Sequence, residues 1–529
     1  MSDLRQLAYA AVAVGSFLLV KCILFIRAQQ AAKDKHLATI TVVGLPDNCG
    51  VLGWIRAVLS SVVSLSSNIS KGYETFCQTK SRPFAVPNIW SGGVVYMLPA
   101  SLLHLLNRPD REMARIRPQL DTMQFPYMFS DPDIYENVIH FDPVRKHMSK
   151  SNLDVLAHMT NDEMDTAFRA YWGLGDEFRT VRNWDVCGKV VGQAAMRALV
   201  GEALCGNQEL LKLASQHSDA VLFGTFMLNV LPPSARPWLG PLVGLPAKYF
   251  QRQCLKILAP YIETRIQMWR EAKSKEEDPQ DFIQWLIARC AREGEHQLDA
   301  KKISLRLLAL ITMSVMGSVY VFSHCILDLY GSPAKAETIA ALEEECRAAV
   351  DRHGSLSTAQ AVGDLHRVDS ALRESMRVSG ISVASLARDV ATDSLDLGNG
   401  ITIPRGTRIM FPSQSMHMDP NTYQDPHTFD AFRFSRPFES VEPDVEVPTR
   451  AAMTTMNSSF LVWGYGKYGC PGRWFASQLL KQALAHVVLN YDVEVVEQRQ
   501  PRQALLNIIM PEDGINIKIR RKVADKSLF

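Results

Sequence analysis

The sequence predicts a mainly α-helical fold with a small β region, built as a single domain behind an N-terminal membrane anchor. Three observations predict it. Helical patterning dominates from about Pro143 to Arg352, a strand-like region from Ile381 to Ile409 carries the turn Gly398-Asn-Gly400, and Leu7 to Ile26 is nearly all apolar. The first follows the 3.6-residue period of helices and the second reads as a hairpin. No internal repeat, low-complexity tract or long linker divides the 529 residues. Residues 1–30 therefore read as the anchor and 31–529 as one domain.

Leu7 to Ile26 contains Lys21 as its only charge, and its length matches the roughly 20 residues that cross a bilayer as one helix. Lys21 lies near one end, where it can snorkel to the interface. Arg27, Lys33 and Lys35 follow the segment, against Arg5 alone before it, so the positive-inside rule places the rest of the chain in the cytosol. The competing reading is a cleaved signal peptide; the long apolar stretch and the lack of a small-residue cleavage site argue against it. Lys plus Arg total 57 against 55 Asp plus Glu, a net charge of +2, which excludes a nucleic-acid partner as a reading of charge. The ten cysteines are scattered without a C-x-x-C pair, which argues against zinc clusters and a secreted disulfide framework. Reduced thiols in a cytosol-facing domain fit better.

Along the chain, Val94 to Leu98 reads as a short strand. A Pro-rich stretch from Pro232 to Pro246 breaks the helical region between two apolar helices. Leu305 to Tyr330 is a long, nearly uncharged helix, too apolar for a surface, and is expected to cross the core. Arg306 near its start and Ser314, Ser318, Ser323, His324 and Asp328 within it argue against a second membrane span. A helix begins near Leu365, another covers Ser477 to Leu489, and Ile515 to Ile519 alternates like a final strand.

The densest chemistry lies in Trp463 to Ala476, where Gly464, Gly466, Gly469 and Gly472 surround Cys470 and a helix is expected from near Pro471. Glycines let a loop turn tightly and approach a flat ligand. The helix end offers N–H groups to a negatively charged sulfur and is expected to lower the thiol pKa. A thiolate held in this way suits axial ligation of haem iron, where it favours O–O cleavage. The plainer alternative is an inert buried cysteine beside a Gly-rich turn.

This loop resembles the haem-binding signature of the cytochrome P-450 family. The family pattern is an aromatic, two residues, Gly, a nearby basic residue, Cys, one residue and Gly. Trp463, Gly466, Cys470 and Gly472 meet it, with Trp for the usual Phe. The run Cys-Pro-Gly-Arg-Trp-Phe-Ala is similar to fungal members. Tyr468 departs from the pattern, standing where members usually carry Arg or His on a haem propionate; a phenol can still donate there without charge. The resemblance covers essentially the whole chain beyond the anchor. It implies the cytochrome P-450 fold and haem b (iron protoporphyrin IX) ligated by the Cys470 thiolate.

Further residues carry the same resemblance. Glu374 and Arg377 are three apart on one helix face, and with Arg433 they resemble the family's Glu-x-x-Arg motif and its later Arg, a structural network bracing the Cys loop. A carboxylate between two guanidiniums can satisfy its oxygens when buried. Arg388 matches a basic residue used on a propionate, the alternative being a solvated strand charge. Basic residues between Arg145 and Lys150 offer a further propionate contact, and a solvated face explains them equally. His417-Met-Asp-Pro420 reads as a structural turn. In the central helix, Met316, Gly317 and Ser318 fall where members carry an acid or His followed by Thr-Thr or Thr-Ser, the groups that deliver protons during oxygen activation. Gly317 would leave room for dioxygen and Ser318 would relay protons. With the register one turn off, Thr312 or Ser314 would serve, and mid-helix hydroxyls also commonly just back-bond to a carbonyl.

The resemblance implies a membrane-anchored monooxygenase that uses dioxygen and NADPH-derived electrons. The chain has no Rossmann-type Gly fingerprint, so a separate NADPH-dependent cytochrome P-450 reductase is the expected partner. The expected substrate is a lipophilic terpenoid, alkaloid or polyketide intermediate of fungal secondary metabolism. The expected location is the endoplasmic reticulum membrane, single-pass and cytosol-facing, with no obligate oligomer. The missing acid–Thr pair supports an alternative, a haem-thiolate enzyme of cyclisation, desaturation, rearrangement or peroxide-driven chemistry. A third reading, from a different class, is a non-catalytic haem-binding or scaffold protein.

Overall fold

The computed structural model describes residues 23–24, 26–31, 33–34, 36–45, 49–271, 281–398, 400–439 and 451–522. The expected anchor, up to residue 22, lies outside the described residues. The helices that position the site are α1 (Val51–Gly72), α2 (Ile116–Met123), α3 (Phe141–His147), α4 (Leu153–Tyr171), α5 (Asn183–Val200), α6 (Gln208–Asn229) and α7 (Leu245–Glu271). They are followed by α8 (Ala300–Tyr330), α9 (Lys335–His353), α10 (His366–Val378) and α11 (Arg473–Asn490). The strands are short: β1 (Phe84–Asn88), β2 (Gly93–Met97), β3 (Met113–Ala114), β4 (Arg179–Arg182), β5 (Ser385–Val390), β6 (Ser394–Asp396), β7 (Thr402–Pro404) and β8 (Arg408–Phe411), then β9 (Tyr491–Val495), β10 (Ala504–Leu505), β11 (Ile508–Ile509) and β12 (Asn516–Arg521).

Helix α8 explains its own composition. Asp299 caps it by accepting from the Lys302 amide, the side-chain cap that an Asp supplies best. It is long and apolar enough to cross a bilayer, yet most of it is buried inside the protein. It packs on α5, α7 and α10, so an all-round apolar helix is satisfied by core on every side. Arg306, fully buried near its start, is held by the Asn137 carbonyl and, at 2.7 Å, by Gln297 Oε1. Helix α11, equally buried, runs beneath α8 and α4.

The five-stranded sheet has the order β1-β2-β8-β5-β3, antiparallel except for the β2–β8 pair. Its residues pack with α1 in a second apolar cluster, separate from the helical core. The hairpin read from Gly398-Asn-Gly400 forms as β6 and β7, and the tail strand forms as β12 between β4 and β9. Strand β4 lies within the stretch from Pro143 to Arg352 in which helical patterning dominates. Its four residues are mostly exposed, so burial leaves no apolar alternation for a sequence pattern to register. The Pro-rich stretch is also more than a break: it contains a short helix, Arg236–Val243, with Pro237 in its first turn, where a missing N–H costs nothing.

Candidate active site

The Cys loop is shaped by two glycines with positive φ, Gly464 at +92° and Gly466 at +61°, a region closed to most side chains. Gly472 differs from expectation: its φ of −85° is open to any residue, and it serves as the N-cap of α11. The helix begins at Arg473, slightly later than read from sequence. Backbone amides of Gly472 and Arg473 reach the Cys470 sulfur. Even so, burial pushes the Cys470 thiol up, outweighing those amides and the Arg473 guanidinium. The lowered thiol pKa expected from the helix end is therefore corrected: loss of water around a thiolate exceeds what two amides restore.

Cys470, Pro471 and Gly472 line a cavity of about 540 Å³ together with Ala309, Met313, Gly317 and Ser318 of α8. Trp463 and Tyr468 also line it. Gly464, Gly466 and Arg388 are not among its lining residues. Above Gly317 an added Cβ would meet nothing within 4 Å, so the helix is bare at this point. The hydroxyls of Ser314 and Ser318 donate back to the carbonyls of Leu310 and Ser314 at 2.7 and 2.9 Å. Thr312 is turned away, within 3.2 Å of both His217 and Ser218 of α6. No Asp or Glu is among the lining residues.

Cations gather around Tyr468. Arg115 lies 4.4 Å from its ring centroid, Lys467 4.9 Å and Arg388 5.6 Å. Arg388 is buried rather than solvated. A bulge between Ser385 and Arg388, with Leu386 at φ +63°, interrupts the β5–β8 pairing beside it. Arg115 was missed by sequence reasoning because it lies some 350 residues from the loop it serves; the basic run from Arg108 to Arg117 was the available signal. Arg145 lines the cavity.

The Glu374 network forms as expected. Arg377 donates to both Glu374 oxygens at 2.8 and 2.7 Å, and Arg433 Nε donates at 3.0 Å. Glu374 and Arg377 are fully buried. Arg377 also donates to the carbonyls of His417 and Pro426. Arg373, not singled out from sequence, donates to the carbonyls of Ala452 and Thr455 and lies 3.8 Å from the Phe460 ring. Asp369 accepts from the Met453 amide, and the Met453 carbonyl accepts from Trp463 Nε1 at 2.7 Å. These contacts run unbroken from α10 into the Cys loop. The turn at His417 to Pro420 is pinned through Asp419, which accepts from Tyr73 and Gln78.

A family profile described as Cytochrome P450 matches residues 185–519, well over half of the chain. The chain belongs to the cytochrome P450 family. Among its relatives are the cytochrome P450 monooxygenase htyF of Aspergillus rugulosus, 34% identical over 85% of this chain and 67% of its own, and the cytochrome P450 monooxygenase gloP of Glarea lozoyensis, 29% identical over 88% of each. The cytochrome P450 monooxygenase okaG of Penicillium ochrochloron is 27% identical over 88% of this chain and 91% of its own. A P450 monooxygenase takes haem with a cysteine thiolate ligand.

The residues present fit that group. Of the described cysteines, all free, only Cys470 lines the cavity. Among the described residues the buried Nε of Arg115, which lines the cavity, has no partner, and an unpaired guanidinium N–H suits a carboxylate of a porphyrin.

Proposed function

We propose that this P450 oxidises a lipophilic small molecule within the 540 Å³ cavity, with Cys470 as the haem ligand. The observation that carries the reading is that Cys470 and the bare Gly317 turn of α8 line the same cavity. Haem, when bound, supplies oxygen activation; the protein supplies binding, orientation and protons. Arg115, Lys467 and the Tyr468 hydroxyl, which line the cavity, would hold its carboxylates, Arg115 replacing the charge that Tyr468 lacks and Arg388 adding positive charge beside the Tyr468 ring. Glu374, Arg377 and Arg433 fix the Cys loop. Gly317 leaves room in the cavity, and the Ser318 hydroxyl, donating to Ser314, still accepts a hydrogen bond and would pass a proton. Cys470 would hold the haem iron through its sulfur, with the backbone amides of Gly472 and Arg473 beside it.

Electrons come from NADPH through a separate reductase. The chain is held at the endoplasmic reticulum membrane by residues 1–30, facing the cytosol. Exposed Phe223, Trp238, Leu239, Leu242 and Leu245 support contact with the bilayer from the α6–α7 region. The substrate is a terpenoid, alkaloid or polyketide intermediate of fungal secondary metabolism; the largely apolar lining of the cavity and the fungal source of the P450 monooxygenases it resembles support a lipophilic fungal metabolite.

A second reading, a reaction that leaves no dioxygen-derived oxygen in the product, is favoured by the back-bonded serines and the carboxylate-free lining. One experiment decides. Microsomes with this protein and a fungal reductase are fed extract from a strain lacking the gene, under heavy-isotope dioxygen. A product carrying the label supports monooxygenation; a product of altered mass or retention without label supports the second reading.

A further inference from the structure

At a part of the cavity wall formed by neither the Cys loop nor the bare turn of α8 stands a buried histidine that the proposed chemistry does not use. His140 lines the cavity and is only 2% exposed. Its Nδ1 is 3.4 Å from Nη1 of Arg306. A guanidinium has donors only, so Nδ1 must be the acceptor and the proton of a neutral ring must sit on Nε2. Arg306 cannot turn away, since the Asn137 carbonyl and Gln297 Oε1 hold its other N–H groups. Burial and the Arg306 charge push His140 down to about 3, so the ring stays neutral at physiological pH. Among the described residues Nε2–H has no hydrogen-bond partner, and the cavity that His140 lines is where it can find one.

The geometry points to His140 as a substrate-orienting residue: locked by Arg306 with its proton on Nε2, it donates one hydrogen bond to an uncharged oxygen of the substrate. This rests on the reading of the cavity as the oxidation site and deepens it. The cavity-facing serines of α8 already donate to carbonyls, and Arg115 and Lys467 gather at Tyr468. His140 is thus a directed neutral donor on the cavity wall that belongs to neither the Cys loop nor α8. An unpaired N–H in an apolar cavity is unfavourable, so a ligand carrying an acceptor there is selected over one without. The substrate class is narrowed accordingly to oxygenated lipophiles such as ketones, lactones or alcohols, against plain hydrocarbons.

The test uses haem-loaded full-length protein in detergent, titrated with trans-1-decalone and with trans-decalin while the Soret band is followed. The expected result is tighter binding of the ketone, weakened about tenfold by His140→Phe, the loss typical of one hydrogen bond, with decalin binding unchanged. His140→Gln, which keeps a donor, should restore the ketone affinity. The carbonyl stretch of bound decalone should lie at lower wavenumber in wild type and His140→Gln than in His140→Phe. Equal affinities for the two probes in wild type, or equal loss for both in His140→Phe, would overturn the proposal. Loss of haem in His140→Phe would also overturn it, by making His140 a haem-holding residue. Failure of the wild type itself to give a red-shifted reduced carbon-monoxide band would instead overturn the haem-thiolate reading beneath it.

Discussion

Cys470 and Ser318 bear the sharpest residue-scale expectations. Replacing Cys470 with Ala should abolish thiolate-ligated haem, seen as loss of the strongly red-shifted Soret band of the reduced carbon-monoxide complex; a retained band would mean another ligand. Ser318→Ala should lower product formed per NADPH consumed, since the hydroxyl that donates to Ser314 still offers an acceptor toward the cavity. Unchanged coupling would remove Ser318 from the proton path and leave Gly317 as the only functional feature of that turn. Cys470, Tyr468, Gly317 and Ser318 were legible in the sequence because each lies at a fixed offset within one loop or one helix. Arg115 and His140 were not, because their roles depend on partners from distant segments, Tyr468 and Arg306.

Between elements, the decisive unit is the tie from α10 to the Cys loop. A three-residue spacing put Glu374 and Arg377 on one face, and that much is a local consequence of helix geometry. What the spacing could not reveal is that both are fully buried and share their carboxylate with Arg433. Burial changes the energetics, because an exposed pair contributes little while breaking a buried one leaves uncompensated charge. Glu374→Gln should therefore lower stability by about 3–5 kcal/mol, read as an earlier denaturation midpoint with concurrent haem release. A shift no larger than that of a surface substitution would mean the network is dispensable. The expected lowering of the Cys470 thiol failed at this same scale: a helix N-terminus is visible in sequence, but the burial that opposes it is not.

For the molecule as a whole, five buried histidines predict acid sensitivity. Burial pushes His140, His417 and His486 down to about 3 and His217 and His324 to about 4. Their unfolded value is about 6.5, so below that pH the unfolded chain binds protons that the folded one refuses. Stability from these groups is complete above about pH 6.5 and is lost as pH falls toward the folded values. The thermal midpoint should accordingly be lower at pH 5 than at pH 7.5, and a flat profile would mean that these rings are not buried in neutral form. By itself the sequence determined the mainly helical class, the core-crossing helix, the hairpin, the tail strand and the Cys loop, because each is written in local periodicity, turn chemistry or a short motif. Only the tertiary structure decided which wall of the cavity each residue occupies, that Arg388 is buried rather than solvated, that Thr312 is spent on α6, and that Arg306 locks His140. Those facts follow from segments far apart in the chain meeting in space, and dielectric and hydrogen-bond partners are set by that meeting rather than by any residue's neighbours in sequence.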